Sequence, residues 1–152
     1  MIFDVLIIGG GAAGMSCALV LGSAKKSPVA SEKSIGIVLH QRSSALENAI
    51  FYNVLGLKPG TTGKDILETG MAQLTDNYPH VIQIKNEKVL LVQGEKNNFK
   101  VGTNKNTYLA KIVVVAVDAS NLFQIEGLMD SVIPHENIPA IKQKIQLKNK
   151  KH

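Results

Sequence analysis

With Cys17 as its single cysteine, the 152-residue chain has no internal disulfide and no Cys-x-x-Cys redox or metal motif. Four scattered histidines offer no metal-ligand spacing. Tryptophan is absent. No run of about 18 apolar residues occurs, so no segment reads as a membrane span. The N-terminus has neither the basic start nor the cleavage site of a signal peptide, and the expected location is the cytoplasm. Acidic residues stop at Glu136, beyond which Lys142, Lys144, Lys148, Lys150 and Lys151 account for the whole net charge of +5. The remaining 12 basic residues balance the 12 acidic ones. No aromatic platform accompanies this lysine-rich end, so it reads as a solvated tail and not as a nucleic-acid contact.

What is present is ordinary globular composition, 45% hydrophobic and 19% charged. The length suits one compact domain with a short appendage. About two thirds of the unfolded surface can be buried at this size. Phe3 to Ile8 is an apolar run rich in β-branched residues, the pattern of a strand buried on both faces of a parallel sheet. Small and helix-forming residues follow from Ala12 to about Ala24, then a polar loop through Pro28, then a second apolar strand at Ile35 to Leu39. Together they predict one right-handed βαβ unit. Thr62 and Asp65 resemble a capping box opening a helix that runs to about Asn77, and Tyr78-Pro79 ends it. Val81 to Ile84 reads as a strand. Val89–Val92, Phe99–Val101 and Tyr108–Leu109 read as a β-meander. Ile112 to Val117, the most apolar stretch, is expected as a separate central parallel strand. The fold class is therefore α/β: a three-layer βαβ domain over residues 1–128, with a parallel sheet and a small antiparallel meander. Residues 129–152 are read as a polar tail or the start of a missing final segment.

Gly9-Gly10-Gly11-Ala12-Ala13-Gly14 fits G-x-G-x-x-G. The pattern alone is weak, but here it follows a predicted buried strand and opens a predicted helix. Gly9 allows the tight turn, Gly11 lets a pyrophosphate approach the backbone, and Gly14 lets the helix pack on the sheet. The helix start supplies free N–H groups and a positive dipole end. The acidic residue that usually closes the second strand is missing, since Leu39 is followed by His40, Gln41, Arg42, Ser43 and Ser44. Two readings stay open. Either His40 or Gln41 hydrogen-bonds the ribose of FAD, or Arg42 with Ser43 or Ser44 holds the 2′-phosphate of NADP.

The segment Phe3-Asp4-Val5-Leu6-Ile7-Ile8-Gly9-Gly10-Gly11-Ala12-Ala13-Gly14 resembles the FAD domain of thioredoxin-reductase-like flavoproteins, members of the pyridine nucleotide–disulfide oxidoreductase group. The order of parts agrees over about residues 2–128. Asn53 with Gly56 resembles the family's Asn-x-Pro-Gly stretch, whose asparagine lies near the flavin. Val89 sits where a family backbone group meets the adenine. Ile112 to Ser120 is similar to the strand that ends in Ala-Thr-Gly-Ala. The resemblance implies a Rossmann-like FAD/NAD(P)-binding domain over residues 1–128, with pyrophosphate at Gly9–Gly14 and adenosine between His40–Arg42 and Val89. Asn53 and Ala116, Val117 and Asp118 would then approach the ribityl chain and ring.

The departures are specific. Val117 and Asp118 replace the threonine and glycine of Ala-Thr-Gly, and Arg42-Ser43-Ser44 replaces a glycine-rich turn. A second G-x-G-x-x-G, a Cys-x-x-Cys and the final Gly-Asp strand are not found. The expectation is an FAD-binding oxidoreductase-type domain without its own NADPH domain or disulfide. It would be served by an external electron donor or reductase, or by nicotinamide docking on the flavin. The alternatives are an NADP-binding single-domain protein using Arg42, and a non-catalytic nucleotide-binding module that dimerises by completing its sheet. No catalytic residue is assigned. Cys17 reads as a buried structural thiol, and His80 and His135 read as loop histidines.

Overall fold

In the computed structural model, which describes residues 2–28, 31–40, 45–117 and 124–128, the N-terminal apolar run forms β1 (Ile2–Ile8). Helix α1 (Ala12–Ser23) follows, then β2 (Ile35–Leu39), whose five residues are all buried. A strand with no exposed side needs cover on both sheet faces. Two short strands, β3 (Ile50–Phe51) and β4 (Thr61–Thr62), pair antiparallel around a turn. Helix α2 (Gly63–Asn77) leads into β5 (Val81–Lys85). Strands β6 (Val89–Glu95), β7 (Asn98–Thr103) and β8 (Thr107–Val115) follow.

Six strands form one sheet in the order β5-β2-β1-β8-β7-β6. The first four are mutually parallel, and β7 is antiparallel to both β8 and β6. Four carboxyl ends therefore meet at one edge. β1 lies between β2 and β8, at the point where strand order reverses, which is where α/β sheets open a crevice.

The apolar segments Tyr108–Leu109 and Ile112–Val117, expected as two strands, belong to one. β8 pairs antiparallel with β7 over Thr107–Ala110 and parallel with β1 over Leu109–Val115. Lys111, which looks like a break between them, is instead spent on an ion pair with Asp4, Nζ to Oδ1 2.8 Å. Hydrophobic pattern reports which residues are buried, and carries no sign that a strand changes partner midway.

Alternation divides the core between the two faces. Ile7, Ile35, Ile37 and Leu39 pack on Met15 and Ala18 of α1 and on Leu74 of α2. The buried residues of α1, Gly14, Met15, Ala18 and Gly22, form a stripe at helical spacing. On the other face Leu6, Ile8, Val38 and Ile84 meet Val89, Val92 and Val101 of the meander, with Ile125. The result is three layers: helices, parallel sheet, meander. The expected capping box is formed. Thr62 Oγ1 accepts from Asp65 N at 3.1 Å, and Asp65 Oδ2 accepts from Thr62 N at 3.1 Å. His80 is held in its turn by a 3.1 Å hydrogen bond between Nε2 and Gly22 O, at the end of α1.

Asp4 gathers the opposite end of the sheet. It accepts from Lys111 Nζ at 2.8 Å and from Ser34 N at 2.9 Å, and Lys33 Nζ lies 3.8 Å away. The Lys111 hydrogen bond, then that from Ser34, hold its carboxyl below the ordinary aspartate value. A depressed folded pKa stabilises the fold above the unfolded pKa and loses that contribution as pH falls through the folded one. Asp4→Asn is expected to cost about 1–3 kcal/mol at about pH 7. In urea unfolding the gap to wild type should shrink at about pH 3. An equal gap at both pH values would remove the charge as its source.

Candidate functional site

Helix α1 starts almost on top of the end of β1, and two glycines make that approach sterically feasible. Gly9 has φ +119°, in the left-handed region that favours glycine. A Cβ there would lie 2.3 Å from Ala116 O, just past β8. A Cβ on Gly14 would lie 1.9 Å from Gly9 O. Both obstacles are backbone atoms, so neither can swing aside. Gly9 N donates to Val38 O at 3.2 Å, and Ala116 N donates to Ile8 O at 2.8 Å. The ends of β1, β2 and β8 are thereby fastened around the helix start.

Gly11 is the N-cap, and the first hydrogen bond of α1 runs from Met15 N to Gly11 O at 2.9 Å. The amides of Ala12, Ala13 and Gly14 come earlier and have no intrahelical acceptor. Ala12 and Ala13 are exposed, and no acidic side chain lies in the first turn. Within that turn no carboxylate offsets the positive end of the dipole. Chemically this is an anion cradle made of main chain at a sheet switch point.

Of the other candidates, the structure brings His40, Val89, Ala116 and Val117 to the same edge. Ala116 packs toward the helical layer and Val117 toward the meander layer, and both face Gly9. His40 is exposed directly after β2. Leu39 O accepts from Asn86 N at 3.0 Å, which draws the β5–β6 turn, and Val89 beyond it, against the end of β2. Gly10 faces Leu39, whose Cδ2 would be 2.7 Å from a Cβ on Gly10. Asn53 lies farther off, exposed on the turn between β3 and β4. That turn reaches α1 through a groove of about 250 Å³ between α1 and α2, where Leu57, Ala12 and Met15 are among the lining residues. Gln41, Arg42 and Asp118 lie outside the described residues, as do Ser43, Ser44 and His135.

Cys17 is half-buried beside the helical core, and burial pushes its thiol pKa up, away from reactive thiolate behaviour. Among the described residues no cluster of histidine, cysteine and carboxylate side chains could hold a metal ion. Nor is any described helix long and apolar enough to cross a membrane. Sequence reasoning missed Asn86 and Glu87. Asn86 takes a left-handed φ of 62°, for which an asparagine just past a strand is a usable signal. Glu87 is buried, and an acid in a polar turn gives no sign of that.

The family model described as pyridine nucleotide-disulphide oxidoreductase matches residues 3–152. Among solved structures, an oxidoreductase from Agrobacterium tumefaciens is similar at 27% identity and a TM-score of 0.64, covering 77% of this chain and 37% of that one. A thioredoxin reductase from T. acidophilum matches at 26% identity and a TM-score of 0.58, covering 75% and 34%. A ferredoxin-flavin thioredoxin reductase from Clostridium acetobutylicum matches at 25% identity and a TM-score of 0.58, covering 75% and 37%. The chain thus spans little more than a third of the length of these structures. No curated protein matches it.

Alanine is the better helix former, so Gly14→Ala would raise stability if α1 had room. The 1.9 Å approach to Gly9 O predicts the opposite sign. A loss of about 1–3 kcal/mol in urea unfolding is expected. A stabilised variant would mean that the strand and helix are not in close contact here.

Proposed function

The chain belongs to the pyridine nucleotide-disulphide oxidoreductase family, and on that premise we propose that it is a flavoprotein domain that binds FAD at the β1–α1 junction for hydride or electron transfer. The observation that carries this reading is the uncapped start of α1, wedged between the ends of β1, β2 and β8 with no acidic residue in its first turn. The donor set fits a dinucleotide. Ala12, Ala13 and Gly14 would donate main-chain N–H groups to the pyrophosphate, and the missing Cβ atoms at Gly9 and Gly14 keep the helix start at the strand end. His40 and Gln41 would meet the ribose, and the turn before Val89 the adenine. Asn53, Ala116, Val117 and Asp118 would lie toward the ribityl chain and ring.

When bound, FAD supplies the redox chemistry, and the protein's part is to bind, orient and shield it. The amides and helix dipole offset the phosphate charge. The apolar Ala116 and Val117 would keep water from that side. Cys17 is the single cysteine in these residues, so exchange with a disulfide would need thiols from elsewhere. A separate electron donor or reductase, or a nicotinamide docked on the flavin, would deliver the electrons. The reading places the protein in the cytoplasm. The similarity to a ferredoxin-flavin thioredoxin reductase supports the flavin class.

A visible absorption spectrum before and after incubation with excess FAD and filtration is the direct test. Retention near one flavin per chain is expected, and a colourless protein would overturn the proposal. The competing NADP reading through Arg42 has its own discriminator. If Arg42→Ala weakened NADPH binding by about tenfold or more and left FAD unchanged, the 2′-phosphate reading would win. Little effect on NADPH is expected.

A further inference from the structure

Glu87 is an ionisable side chain only 7% exposed, in a turn that looks solvated by its sequence. Its carboxylate accepts three hydrogen bonds, from Thr103 Oγ1, from Asn106 Nδ2 at 2.8 Å and from Tyr108 Oη at 2.9 Å. Burial acts to raise its pKa, but these three donors, with Lys105 nearby, outweigh it and hold the carboxyl below the ordinary glutamate value. A buried charge is tolerated only when satisfied in this way.

The neighbours of Glu87 are fastened as well. Lys88 N donates to Asn104 Oδ1 at 2.8 Å, and Asn104 N donates back to Lys88 O at 2.9 Å. On the other side Asn86, at φ 62°, donates its N–H to Leu39 O at 3.0 Å. The stretch Asn86–Val89 is thus clamped between the β7–β8 turn and the end of β2. Leu39 in turn packs on Gly10 of the fingerprint.

We propose that Glu87 is a positioning residue for the adenosine end of the dinucleotide pocket, locking the Asn86–Val89 turn in the shape in which its main chain reads the base. The proposal rests on the dinucleotide reading above. It does not depend on whether the rest of the ligand is a flavin or a nicotinamide. Glu87 touches no ligand and acts through the turn. Its removal should therefore blur recognition of the base edge and spare the phosphate contacts, which come from the main chain of the α1 start.

The test uses the full chain and two probes, ADP and IDP, which share ribose and diphosphate and differ at the edge of the base. Calorimetric titration of wild type should show ADP preferred by about tenfold or more, because main-chain groups left unpaired by the wrong base discriminate strongly. Glu87→Gln replaces an acceptor of three bonds with an amide of the same shape. It should lower the ADP-to-IDP ratio at least about threefold and leave inorganic pyrophosphate affinity unchanged. A purely structural role would weaken all three probes in parallel. That result, an unchanged ratio, or a wild type without base preference would overturn the proposal. If Glu87→Gln does not fold, Tyr108→Phe removes one donor and keeps the ring that packs 6.0 Å from Phe3. It should lower the ratio by a smaller factor, and no change there would equally sink the idea. Wild type that binds ADP but retains no FAD would defeat the flavin reading alone. Wild type that binds neither would defeat both.

Discussion

Helix α1 begins so close to the end of β1 that a side-chain carbon on Gly14 would come within 1.9 Å of the carbonyl oxygen of Gly9. The remaining architecture follows from that contact. It sets where α1 leaves the sheet, and the stripe Gly14, Met15, Ala18, Gly22 then lies along the strands. Ile7, Ile35 and Ile37 fill the space beneath it, and α2 closes the layer through Leu74. The same contact aims the unpaired amides of the first turn out of the strand edge, where an anion can reach them. The steric requirement of the fold and the electrostatic feature of the site are one piece of backbone.

The second organising element is β8, which belongs to two layers. Its first residues pair with the meander and its last with β1. Two buried or half-buried carboxylates stand where the layers meet. Asp4 ties β1 to Lys111 of β8 and to the start of β2. Glu87 ties the exit of β5 to the turn that feeds β8. In both cases a charge is placed inside the fold and met by several donors, which fixes geometry more sharply than apolar contact does.

Membership of the pyridine nucleotide-disulphide oxidoreductase family accords with both elements. The sheet edge brings the uncapped start of α1 against the ends of β1, β2 and β8. The chain covers little more than a third of its solved relatives.

Most elements were legible in the chain before any coordinates. β1, α1, β2, α2 and β5 each carry a period or a stop signal that is local: β-branched runs, a glycine cluster, the Thr62–Asp65 box, Tyr78-Pro79. The helix-start site was legible for the same reason, since three glycines at fixed spacing encode one backbone geometry. The continuity of β8 was not legible, because Lys111 reads as solvent-facing until Asp4 is brought beside it from 107 residues away. Nor was the burial of Glu87, whose three donors come from the end of β7, the turn after it and the start of β8. Sequence by itself determined where the backbone must bend and which faces are apolar, because sterics and hydrophobic period act over a few residues. Only the tertiary structure decided which charges are buried and which strand ends share a pocket, because those depend on partners that folding alone brings within hydrogen-bond distance.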